Sequence, residues 1–75
     1  MSKNRMNPLE EAREFGEALS MRDVGEVLAR ELIDDFAHII YWKDRAHPYR
    51  TRWINAGIRG YLSMQKEKRL LDDLL

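Results

Sequence analysis

Apolar residues recur along this chain three and four positions apart, the period of an α-helix, and no segment alternates apolar with polar residues as a half-buried strand does. The nearest strand candidate, Glu26 to Leu32, has the wrong period and sits among helical residues. Asn7-Pro8 followed by Leu9-Glu10-Glu11 is a helix start: Asn caps, Pro suits the first helical position, and the carboxylates face the positive end of the helix dipole. Leu9, Ala12, Phe15, Gly16 and Leu19 then predict an amphipathic helix over about 8–19. Ser20 and Asp23 stand at the spacing of a capping box, which predicts that a second helix starts at 21.

That second helix has apolar positions at Met21, Val24, Leu28, Leu32, Phe36 and Ile39 or Ile40, with Val27, Ile33 and Ala37 widening the stripe. A helix apolar over so much of its circumference belongs at the centre of a fold or in a dimer interface. Pro48 biases His47 away from helical angles, so the helix is expected to end near 46 and a third to begin at Pro48. The third, over about 48–73, carries Tyr49, Trp53, Gly57, Gly60, Tyr61 and Met64 on one stripe and Ile54, Ile58 and Leu62 on another. Gly57 and Gly60 cost helix propensity and imply either a close backbone approach or a kink.

The expected fold class is therefore all-α, with a short helix, a long central helix and a long C-terminal helix. Residues 1–6 are expected to form a flexible tail on this single domain. A chain of 75 residues buries a modest share of its surface, and Leu70, Leu71, Leu74 and Leu75 lack evident cover, so dimerisation is expected to complete the fold. The absence of cysteine excludes disulfides and thiolate metal sites and favours a cytoplasmic protein. No apolar run reaches bilayer length and no signal core follows the N-terminus, so a soluble protein is expected.

Net charge is zero but unevenly spread. Residues 1–35 hold five Lys/Arg against nine Asp/Glu, and residues 36–70 hold eight against two, so an acidic half precedes a basic one. Such a division suits a basic face for nucleic acid, and it equally suits pairing of acidic and basic helices from two subunits.

The basic half includes Tyr41-Trp42-Lys43-Asp44-Arg45-Ala46-His47-Pro48-Tyr49-Arg50-Thr51-Arg52-Trp53, where four aromatic rings interleave with four cations. Arginine contacts phosphate or carboxylate bidentately and rings offer flat faces, so Lys43, Arg45, Tyr49, Arg50, Thr51, Arg52 and the later Arg59 are the candidate binding residues. Trp53, Tyr49 and Tyr61 also fall at helical spacing, which is more often a core stripe than a stacking platform. Tyr41 and Trp42 are placed to pack on that stripe across the Pro48 turn.

Catalytic chemistry finds little support. Asp34 and His38 stand four apart, which suits a metal, but two residues fall short of the three or four ligands that zinc requires. The hydroxyls Ser2, Ser20, Ser63 and Thr51 read as tail, cap, surface and turn, and no glycine loop cradles phosphate. The chain reads as non-enzymatic, without cofactor, metal, small-molecule substrate or membrane partner.

Pro48-Tyr49-Arg50-Thr51-Arg52-Trp53-Ile54-Asn55-Ala56-Gly57-Ile58-Arg59-Gly60-Tyr61-Leu62 resembles the second helix of ribbon-helix-helix antitoxin-type DNA-binding proteins, with Trp53 as one additional residue. Ile33-Asp34-Asp35-Phe36 lies about where that family begins its first helix. The resemblance implies that Tyr49, Arg50 and Thr51 anchor DNA phosphate, and that a strand near Glu26 to Leu32 pairs with its twin and enters the major groove.

Two readings follow. The first is a small dimeric regulatory protein that binds nucleic acid through a helix-turn-helix corner from Lys43 to Arg59. The second is an adaptor or inhibitor whose apolar stripes and acidic half dock on another protein. The cations equally admit an acidic protein surface as their partner, including residues 10–35 of this chain itself.

Overall fold

The computed structural model describes residues 7–41, 43 and 46–74, and these form three helices: α1 (Pro8–Met21), α2 (Glu26–Ile40) and α3 (Pro48–Leu74). No strand occurs among the described residues, so the all-α class holds. The expected tail over residues 1–6 lies outside them, as do Trp42, Arg45 and Leu75.

α1 begins as its sequence dictates. The Asn7 side chain accepts the Leu9 N–H at 2.8 Å, and Pro8 occupies the first turn with Glu10 and Glu11. Its end differs from expectation: Ser20 does not cap a second helix but is wholly buried in the last turn of α1, and Met21 belongs to α1 as well. The chain then reverses through Arg22, whose N–H donates to the Ala18 carbonyl at 3.1 Å, and Asp23, which has a φ of 60° and donates its N–H to the Ser20 carbonyl at 3.0 Å. Aspartate tolerates this left-handed conformation better than most residues. Lys68 of α3 secures the turn by donating to the Ser20 carbonyl at 2.8 Å and to Asp23 at 2.6 Å. Burial of Leu19 and Ser20 and this clamp outweigh the local capping signal. α2 therefore starts at Glu26 behind Gly25, which offers no side-chain cap.

The far end of α2 also stops early, at Ile40 rather than near 46. Proline sets only the last residue at which a helix must end. Here α3 has to fold back antiparallel to α2, and the chain reverses between Ile40 and Pro48, with Tyr41 stacked on His47 at 5.2 Å.

Three glycines decide how the helices pack. A Cβ on Gly16 would collide with the Gly57 carbonyl, and one on Gly60 would collide with the Arg13 carbonyl. Backbones of α1 and α3 thus touch directly, which resolves the glycine alternatives in favour of close approach. Contacts ascend together along both helices, from Ala12 against Gly57 to Ser20 against Lys68, so α1 and α3 run the same way. α2 runs the opposite way: Val24 meets Tyr61, Ile33 meets Gly57 and Phe36 meets Trp53.

Ala29, Ile33 and Ala37 form the buried face of α2, and Ile33 fills the notch at Gly57. Beneath it Phe15, Phe36 and Trp53, one ring from each helix, meet at centroid distances of 4.8, 5.7 and 5.9 Å. Aromatic packing of this kind adds about 0.5–1.5 kcal/mol per pair to plain area burial. Tyr61, also buried, donates its hydroxyl to the Val24 carbonyl and accepts from Gln65 at 3.0 Å. Trp53 and Tyr61 are thus core residues, as their helical spacing allowed.

Two substitutions test this packing by opposite effects on chemical denaturation. Gly16→Ala is expected to cost about 1–3 kcal/mol, because neither backbone can yield cheaply. Gly25→Ser, where nothing lies within 4 Å, is expected to gain about half a kcal/mol by supplying the missing cap.

Candidate nucleic-acid interface

The start of α3 is built around His47. Its carbonyl accepts the Arg50 N–H at 3.0 Å, and its Nδ1 accepts the Tyr49 N–H at 3.1 Å, so the imidazole serves as a helix cap. Tyr49 is half-exposed, and the Arg52 guanidinium lies 5.5 Å over its ring. Tyr41 closes the turn from the other side. Burial, the nearby Tyr49 phenol and the Glu11 carboxylate, in that order, raise its phenolic pKa above the ordinary value.

The candidate cations do not form one corner. Successive residues on a helix are about 100° apart, so Arg50 and Arg52 point to opposite sides of α3. Arg50 turns toward α2 and pairs with Asp34 at 3.2 Å, while Arg52 and Arg59 are exposed on a different face. Arg50 is thereby a strut between two helices, and Asp34 is engaged by it. Lys43 is exposed in the α2–α3 turn and Thr51 is exposed in the first turn of α3, off the face that carries Arg59. Arg45 lies outside the described residues.

The structure brings together a different set. Arg52, Arg59 and Lys66 are seven residues apart, two turns each, and all are exposed. Asn55 stands exposed between the first two. A heptad drifts only about 20° around a straight helix, so the row follows one face over roughly 21 Å. Arg59 also borders a shallow groove between α1 and α3, lined by Leu9, Glu10, Arg13 and Ala56. Among the described residues neither Arg52, Arg59 nor Lys66 forms an ion pair, whereas Arg13 is held by Glu17 at 3.8 Å and Arg30 by Glu26 at 3.1 Å. Sequence reasoning overlooked Asn55 and Lys66, although the seven-residue spacing from Arg52 was there to be read.

No protein-family model, curated protein or solved structure matches the chain. In the ribbon-helix-helix resemblance a strand would precede the first helix, and residues 26–32 form the first turns of α2 instead. Of the three phosphate anchors it implies, Tyr49 donates its N–H to His47 and Arg50 donates one guanidinium N–H to Asp34.

Two measurements follow from this turn. A double-mutant cycle of Arg50→Ala and Asp34→Ala is expected to give a coupling of about 0.5 kcal/mol, since both groups keep partial solvent access. The folded state also holds the Tyr41 proton more tightly than the unfolded chain does. Its contribution to stability is complete below the ordinary phenol value and declines as pH rises through the raised folded value. Absorbance titration should therefore find Tyr41 ionising later in the folded protein than in urea.

Proposed function

We propose that this chain is a non-enzymatic regulatory protein that binds nucleic acid through the outward face of α3. Arg52 and Arg59 contact phosphate, Asn55 between them is placed to reach a base edge, and Lys43 and Thr51 flank the start of the helix. The observation that carries this reading is the row of cations on one exposed helix face without carboxylate partners among the described residues. Cations so arranged raise the local potential and favour a polyanion. An α-helix fits the major groove, about 12 Å wide, and asparagine pairs bidentately with adenine there.

The second reading, docking on another protein, has its own support in the apolar residues exposed on α2, among them Leu28 and Ile39. Salt separates the two. Phosphate binding releases counterions and weakens steeply with added salt, whereas apolar docking responds weakly.

The expected outcome is that Arg52→Ala with Arg59→Ala lowers affinity for duplex DNA or RNA while the circular dichroism spectrum stays unchanged. Loss of two phosphate contacts should flatten the logarithmic salt slope by roughly two. Fluorescence anisotropy across a salt series measures both. Equal affinity and slope in the double variant would sink this reading.

A further inference from the structure

Two apolar surfaces lack full cover among the described residues, and their rims differ in charge. The first runs along the outer side of α2 beside Phe15. Leu28, Leu32, Phe36 and Ile39 follow one another at helical spacing, with Leu28 51% and Ile39 65% exposed. Exposed carboxylates border it on both sides, Glu31 and Asp35 on α2 and Glu11 and Glu14 on α1. None of the four has an ion-pair partner among the described residues.

The second is the end of α3. This helix has 27 residues against 14 and 15 in the others, and Lys68 already reaches the turn at which α1 stops. The segment beyond runs past the bundle with Leu70, Leu71 and Leu74 exposed at 55%, 61% and 82%. Lys66 and Arg69 flank it, both exposed.

We infer that a second copy of the chain covers both surfaces at once, the end of each α3 lying along the acid-rimmed α2 stripe of the other. Lengths agree: Lys66 to Leu74 spans about 12 Å of helix and Leu28 to Ile39 about 16 Å. Symmetry sets the direction. In a parallel pair the two projecting ends lie side by side beyond both stripes, so only an antiparallel two-fold places each end on the other copy's stripe. The docked end then runs in the direction of α2. With Leu74 level with Ile40, Lys66 and Arg69 come beside Glu31 and Asp35, while Asp72 and Asp73 come level with His38 and Ile39 on the side of the turn that carries Lys43. This pairing shares Lys66 with the cationic row of α3 but leaves Arg52 and Arg59, the two proposed phosphate contacts, on the surface.

Sedimentation equilibrium on the full chain tests it with two variants, Leu28→Glu with Ile39→Glu on the stripe and Leu70→Glu with Leu74→Glu on the end. The wild-type chain should dimerise, and each variant alone should weaken the dimer at least about tenfold, equivalent to 1.4 kcal/mol. A mixture of the two should form a heterodimer, because one intact end still meets one intact stripe. Glu31→Lys with Asp35→Lys should also weaken the dimer, and adding Lys66→Glu with Arg69→Glu to the same chain should restore it. That charge-reversal set leaves every apolar residue in place and keeps the test valid if a glutamate variant unfolds by circular dichroism. A monomeric wild type would overturn the inference and leave the stripe to a different protein. Variants that abolish the dimer but fail to recombine would also overturn it, in favour of like-with-like contact between stripes or between ends.

Discussion

Direct contact between the backbones of α1 and α3 is the constraint from which the rest of the arrangement follows. Gly16 and Gly60 let the two helices approach closer than any side chain would permit, and Gly57 leaves the notch that Ile33 of α2 fills. Once they touch, the remaining groove has room for one helix, and the small residues Ala29 and Ala37 with Ile33 between them let α2 settle into it. Phe15, Phe36 and Trp53 fill the wider space toward the other end. Packing of this type relies on shape rather than on volume of apolar side chain. A chain with few large buried residues gains from it because close backbone approach recovers dispersion contacts that a small core otherwise lacks.

The same constraint sorts the surface. α3 is gripped by α1 on one side and α2 on another, which leaves its third face to water with Arg52, Asn55, Arg59 and Lys66 upon it. α2 is gripped on one face only. Its second apolar stripe consequently remains exposed, bordered by acidic residues. Opposite charge thus sits on different sides of the molecule, although the sequence as a whole is neutral.

Much of this was legible in the sequence where the determining physics is local. Asn7-Pro8 marks the start of α1 because cap and ring act within one turn. Gly57 and Gly60 signalled either a close approach or a kink because nothing in an isolated helix favours them, and Trp53 and Tyr61 lay on the stripe that becomes buried. Reading failed where tertiary contact outvotes a local signal. Ser20 and Asp23 have the spacing of a helix start, yet burial of Ser20 and the reach of Lys68 from 45 residues away convert them into a helix end and a turn. Arg50 and Arg52 looked like one cluster because they are close in the chain. On a helix, two residues apart means opposite sides, and only the positions of α2 and Asp34 decide which of them is taken up by the fold.

The parallel course of α1 and α3 has a kinetic side. The helices that touch most closely are not successive in sequence: Gly16 and Gly57 are brought together across the whole of α2 and both turns. Most small helical bundles gain speed from contacts between neighbours in the chain, whereas here the tightest contact closes a long loop whose entropy must be spent before the contact forms. α2 packed on either partner alone would find no notch at Gly57 backed by Ala12, so a two-helix intermediate has little to hold it. The tightest contact of the fold therefore joins helices that only the complete three-helix arrangement brings together.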